Sequence, residues 1–174
     1  MSLDLSSLVH DVVDYPKPGV LFKDITPLLA SARGFQETVD HLVSGAPPDI
    51  DLVLGMEARG FIFAAPVALA LGVGFVPIRK PGKLPGELYR ESFELEYGQE
   101  TLTMRVDAVG RGARVLIVDD VLATGGTVAA TAGLVGQSGA ELAGVSVVVE
   151  LSALGGRQRL SGAGIDQVTS LLQV

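Results

Sequence analysis

Apolar positions along the chain fall into two kinds of pattern. Leu5, Leu8, Val9, Val12 and Val13 recur at helical spacing, so the chain is expected to open with an amphipathic helix. The YPKPG string at 15–19 stops it. A short apolar stretch, VLF at 20–22, leads to Thr26 and Pro27, read as a helix cap followed by proline at the first helical position. Phe35, Val39, Leu42 and Val43 then mark a second helix. From residue 51 onward the second pattern takes over. DLVLG at 51–55, FVPI at 75–78, RVLIVDD at 114–120 and GVSVVVEL at 144–151 are near-continuous Val/Ile/Leu runs separated by helical segments at 61–71 and about 127–137. Strands of that kind belong to a parallel sheet covered on both faces, so the expected class is α/β, a central parallel sheet flanked by helices. No repeat, linker or low-complexity tract divides the chain, which reads as a single domain over residues 1–174.

Two stretches depart from this alternation. Gly60 to Ile78 carries no charge and is long enough to span a bilayer, but its internal glycines and prolines favour a buried helix, a turn and a buried strand. The segment from about 80 to 107 is charged, contains Pro85 and Gly86, and alternates through TLTMRVD at its end. It reads as a loop or hairpin projecting from the core, either a lid or a plain surface hairpin.

Composition narrows the chemistry. With 48% apolar and 19% charged residues in 174, the chain must fold around a core. The absence of cysteine excludes disulfides, thiolate catalysis and cysteine-held metals, and the two histidines are far apart. A net charge of -7 argues against a nucleic-acid partner. The N-terminus has no secretory pattern, so a cytoplasmic location is expected.

The segment from Val115 to Thr127, VLIVDDVLATGGT, carries the most chemistry. It brings Asp119 and Asp120 to the C-terminal part of a strand, where open α/β sheets bind ligands. Ala123, Thr124, Gly125, Gly126 and Thr127 then open a helix. Free N–H groups at such a start, with glycines and hydroxyls, suit a phosphate. Carboxylates beside them suit sugar hydroxyls, so the pair reads as a ribose 5-phosphate cradle. Gly82-Lys83 is followed by leucine, which excludes a Walker A loop, and Gly72-Val-Gly74 lacks the third glycine of a dinucleotide fingerprint.

VLIVDDVLATGGT resembles the phosphoribosyl pyrophosphate (PRPP) signature of the type I phosphoribosyltransferases. DYPKPGVLFKDITPLL at 14–29, GMEARGF at 55–61, IRKPGKLPGE at 78–87, LEYG at 95–98 and VELSALGGRQRL at 149–160 resemble the adenine branch of that family, in the same order. The resemblance implies the fold of that family, with a short N-terminal hood and a lid over about 80–107. It implies transfer of the 5-phosphoribosyl group of PRPP to N9 of adenine, giving AMP and pyrophosphate in purine salvage, by a cytoplasmic homodimer. Asp119 and Asp120 match the ribose site, and Ala123, Thr124, Gly125, Gly126 and Thr127 the 5-phosphate loop. Glu57, Ala58, Arg59, Arg79, Lys80 and Lys83 match the pyrophosphate site, with a cis bond between Glu57 and Ala58. Glu96, with Arg59, is implied in catalysis as the acid/base, and Tyr97 as part of the lid. Leu21, Phe22, Lys23 and Val121 match the adenine site, Lys23 standing where relatives commonly have arginine. Magnesium (Mg2+) is implied as cofactor, held mainly by PRPP and water, with no direct protein ligand. Two other readings remain: an oxopurine transferase, for which the lysine expected after the PRPP loop is missing, and a PRPP-binding regulator of transcription or RNA, for which no basic face is visible.

Overall fold

The computed structural model describes residues 3–94 and 98–174, in two compact units, Met1–His41 and Leu42–Val174. In the first unit a short 3-10 turn, Leu5–Leu8, is capped by Asp4, whose Oδ1 accepts the Ser6 N–H at 3.1 Å. The helix expected to continue through Val13 does not form. Instead β1 (His10–Val13) pairs antiparallel with β2 (Leu21–Asp24), Val12 lying opposite Phe22. All four residues of β1 are exposed, and Leu5 alone of the five apolar positions is buried. Helical spacing stabilises a helix when its stripe is covered, and here the backbone is satisfied by the facing strand instead.

Helix α1 (Thr26–Ala30) has proline in its first turn, but the side chain that binds its leading amide belongs to Asp24, whose Oδ1 accepts the Thr26 N–H at 2.8 Å. The boundary between the units falls within α2 (Ala32–Ser44).

The second unit begins with β3 (Leu52–Met56), α3 (Gly60–Leu71) and β4 (Gly74–Ile78). Helix α3 is apolar around its circumference and ends on Gly72, which adopts a left-handed φ of 72° and donates its N–H to Ala68 O. Among the described residues no helix is long and apolar enough to cross a membrane. After the antiparallel hairpin of β5 (Leu88–Glu94) and β6 (Gln99–Arg105) come β7 (Arg114–Leu122), α4 (Gly126–Ser138), β8 (Glu141–Glu150), α5 (Gly156–Gly162) and β9 (Val168–Gln173). The parallel sheet runs β4-β3-β7-β8-β9. Val115, Leu116, Ile117 and Val118 in its middle strand have no exposed surface, as expected for a strand covered on both faces.

The strands of the hairpin rest on the core rather than standing clear of it. Phe93, Leu102 and Met104 are buried in the same apolar cluster as Val128 and Leu134 of α4. Gln137 Nε2 donates to Arg90 O at 3.0 Å and to Glu91 Oε2 at 2.7 Å. Arg79, just after β4, exchanges backbone hydrogen bonds with Thr103 at 2.7 and 3.0 Å.

Candidate active site

Strand order places the site. From β3 the chain moves to β4 on one side of the sheet and later to β7 on the other, so the direction of winding reverses between β3 and β7. In open α/β sheets that reversal opens a crevice at the carboxyl ends of the two strands. Here those ends carry Glu57, Ala58 and Arg59 after β3, and Asp119 and Asp120 late in β7. The Glu57–Ala58 bond is cis.

Asp119 and Asp120 are 8% and 6% exposed. Asp119 Oδ1 accepts the Asp120 N–H at 2.9 Å, and Arg59 Nη2 stands 2.6 Å from Asp120 Oδ2. That oxygen receives no well-aligned hydrogen bond, so its link to Arg59 is a charge pairing. Burial pushes the Asp119 carboxyl well above its usual range, and the neighbouring Asp120 charge adds to the effect. Burial also raises Asp120, with Arg59 opposing it. A buried, under-bonded acceptor pair of this kind is suited to hydroxyl donors.

From the last two residues of β7 onward, residues 121–128 surround a small cavity of about 60 Å³. Gly125 there has a φ of 80°, and the first bond of α4 runs from the Ala129 N–H to Gly125 O at 2.9 Å. The amides of Gly126, Thr127 and Val128 precede that bond and point out of the helix end. The start of α5 backs this loop. A Cβ built on Gly156 would stand 2.3 Å from Ala123 O, and one on Gly125 would stand 3.4 Å from Leu160 Cγ. A larger hollow of about 450 Å³ lies along α4 beside Leu142 and Ile165; among the described residues that line it Asp166 is the charged one, and no basic side chain is there to receive an anion.

A charged network that the sequence reading did not single out fastens α5. Arg157 Nε and Nη2 donate to Glu150 Oε1 and Oε2 at 2.9 and 2.5 Å, Ser170 Oγ reaches the same carboxylate at 2.8 Å, and Arg157 Nη1 donates to Val168 O at 2.7 Å. The Glu150 side chain is 6% exposed, and the Arg157 guanidinium holds its carboxyl below the usual range. Glu150→Gln is therefore expected to lower stability by about 2 kcal/mol at neutral pH, Arg157 remaining partly solvated. Because the native carboxyl is the stronger acid, the stability it contributes is present above the unfolded-state pKa of about 4.3 and lost as pH falls through the native value. Urea unfolding of parent and variant should thus converge in acid.

The residues matched to pyrophosphate lie around the ends of β3 and β4. Arg79 Nε is 3.2 Å from Glu57 Oε2, which also accepts the Lys80 N–H at 3.1 Å. The Lys80 N–H is the main reason the Glu57 carboxyl sits below its usual range. Lys80 Nζ forms an ion pair with Glu100, and Lys83 closes a turn through its N–H to Lys80 O at 3.3 Å. Arg59, Arg79 and Lys80 thus each face a carboxylate, a compensation the run of basic residues does not reveal.

Leu21, Phe22 and Lys23 follow one another on β2 in the N-terminal unit. Leu21 is exposed, Phe22 meets the Tyr15 ring edge-on at 5.1 Å, and Lys23 Nζ is 2.6 Å from Asp11 Oδ1. Val121 lines the small cavity of the second unit. Glu96 and Tyr97 lie outside the described residues. Among the described residues, no group of three or more acidic, histidine or cysteine side chains is arranged to hold a metal ion.

Residues 23–161 match the phosphoribosyl transferase domain family. An adenine phosphoribosyltransferase of Cutibacterium acnes is 64% identical over 170 residues, covering 98% of this chain and 96% of the relative. The crystal structure of adenine phosphoribosyltransferase from Thermoanaerobacter pseudethanolicus superposes with a TM-score of 0.94 at 45% identity, covering 98% of both chains. That of Saccharomyces cerevisiae, in complex with an imino-altritol bisphosphate and adenine, gives a TM-score of 0.90 at 41% identity over 97% of each chain.

Proposed function

The chain belongs to the phosphoribosyl transferase family, and on that premise we propose how its residues divide the work of adenine phosphoribosyl transfer. The reaction joins N9 of adenine to C1 of the ribose of PRPP, giving AMP and releasing pyrophosphate in purine salvage. The observation that carries the assignment of roles is the adjacency of a buried carboxylate pair, an arginine and an anion-type loop at the β3/β7 crevice.

Asp119 and Asp120 accept hydrogen bonds from the ribose hydroxyls. The amides of Ala123, Thr124, Gly125, Gly126 and Thr127, with the threonine hydroxyls, bind the 5-phosphate. Glu57 and Ala58 present backbone groups to the pyrophosphate, while Arg59, Arg79, Lys80 and Lys83 supply its counter-charge. The C1–O bond to pyrophosphate breaks as the N9–C1 bond forms, through an oxocarbenium-like state that these contacts stabilise. Glu96 takes the N9 proton, and Tyr97 belongs to the lid that keeps water out. In the N-terminal unit, Leu21 offers backbone groups to adenine, Phe22 its ring and Lys23 its charge; Val121 offers an apolar contact. Magnesium is assigned to PRPP and water with no direct protein ligand, since the ion keeps most of its water shell and takes its remaining ligands readily from phosphates. Bound with PRPP, it would neutralise charge on the leaving group. The family reading extends to a cytoplasmic homodimer.

The test is product formation from PRPP with adenine, hypoxanthine, guanine or xanthine, with and without magnesium. AMP from adenine alone, dependent on magnesium, is the expected result. Reaction with an oxopurine would overturn the assignment of β2 to the base. PRPP binding without reaction with any base would favour a regulator.

A further inference from the structure

We propose that Arg159 is a direct ligand of the substrate's 5-phosphate, presented by α5 to the loop at residues 123–127. The proposal deepens the reading of that loop as a phosphate site and rests on it.

Gly156, Arg159 and Leu160 stand at i, i+3 and i+4 on α5 and so share one helical face. All three approach the same loop. Gly156 packs against Ala123 O and Leu160 against Gly125, while a Cβ built on Gly126 would stand 3.5 Å from Arg159 Nη1. The Phe93 ring stands 2.9 Å from the same built Cβ, so the approach to Gly126 is shared by an aromatic ring and the guanidinium. In a helix the Cα–Cβ bond leans toward the N-terminus. Arg159 Nη1, 3.5 Å from a Cβ built on the first residue of α4, therefore lies beside the turn that carries the free amides of that helix.

The charge balance supports the same conclusion. The loop contains no charged side chain of its own, although a phosphomonoester near neutral pH carries about -1.5 to -2. Of the other cations of the site, Arg59, Arg79 and Lys80 each face a carboxylate, and Lys83 follows β4 among the residues matched to pyrophosphate. Arg159 is exposed, and no carboxylate of the described residues pairs with it. A guanidinium at the positive end of a 13-residue helix is repelled by the aligned amides. A dianion placed between the two reverses that repulsion, and the planar fork of arginine matches phosphate oxygens. Arg157, two residues earlier, lies on another face of α5 and is committed to Glu150, so one arginine fastens the helix and the other serves the ligand.

The experiment compares the full chain with Arg159→Gln and Arg159→Lys. Steady-state kinetics give the KM for PRPP and kcat, and calorimetry gives the Kd of AMP, ribose 5-phosphate and adenosine. In Arg159→Gln the KM for PRPP and the Kd of both phosphates should rise about 10-fold, or roughly 1.4 kcal/mol. Adenosine binding and kcat should stay within about twofold of the parent, and Arg159→Lys should recover part of the loss. An unchanged KM for PRPP in an active Arg159→Gln variant overturns the proposal, as does equal weakening of AMP and adenosine. A parent that makes no AMP would overturn the reaction itself; ribose 5-phosphate binding then decides the Arg159 assignment alone. A parent that binds no ribose 5-phosphate overturns both.

Discussion

Asp119→Asn should weaken PRPP binding by about 100-fold while raising the temperature of thermal unfolding. Both effects have one cause. Asp119 is buried beside Asp120, and its ionised form is disfavoured first by the loss of water and then by the neighbouring charge. An amide keeps the oxygen that accepts the Asp120 N–H and removes the buried charge. It also loses the ionised acceptor proposed for a ribose hydroxyl, and about 2.7 kcal/mol is a reasonable cost for a charge-assisted hydrogen bond of that kind. The pH dependence has a definite sign. With a native pKa above the unfolded value of about 3.9, the folded protein holds a proton that the unfolded chain has released. Parental stability therefore falls as pH rises from the unfolded to the native value, whereas the variant lacks this fall. The gap between them in thermal unfolding should widen as pH rises above the unfolded value and level off beyond the native one, with PRPP affinity measured alongside by calorimetry. Unaltered PRPP affinity would remove Asp119 from the ribose site, and a variant less stable than the parent at pH 8 would contradict the cost of burial.

Gly156→Ala should cost about 3 kcal/mol of stability, near the upper end for overpacking. The added methyl would stand 2.3 Å from the Ala123 carbonyl oxygen and 3.1 Å from two carbons of the Leu122 side chain. Leucine can turn aside, but the carbonyl is backbone in the loop assigned to phosphate. To relieve the clash α5 must back away from the loop, against the Glu150–Arg157 link that fastens it. For a chain of this size the loss corresponds to a fall in unfolding temperature of roughly 6–12 °C. The KM for PRPP should rise as well, because the loop amides are displaced. A methyl accommodated with neither change would show that the contact between loop and α5 is slack. Gly136→Ala is a suitable control, since nothing lies within 4 Å of a Cβ built there.

What the sequence discloses depends on the range over which each feature is determined. β7 was legible because four buried residues in a row admit few alternatives, and the Asp119–Thr127 string carries its own chemistry. The opening residues misled because spacing reports a stripe but not whether anything covers it; Val12 and Val13 are 38% and 71% exposed. β5 was hidden in a charged stretch, since its buried Phe93 gains meaning only against α4. The short α5, with its GRQRL sequence, offers no apolar stripe to read. Its two arginines differ only in what the fold sets before them, Glu150 for Arg157 and the loop for Arg159. The cis bond after Glu57 came from resemblance alone.

The placement of the crevice between β3 and β7 bears on how the chain acquires activity. Leu52–Gly55 pairs with Val115–Val118, joining strands about 60 residues apart and requiring a costly loop closure. Everything between them, α3, β4 and the hairpin, can begin to organise from nearer contacts. Arg59 and Asp120 cannot meet until that closure occurs. Recovery of activity during refolding is therefore tied to the most non-local pairing of the sheet, and a nascent chain halted before β7 carries half of a crevice and no catalyst.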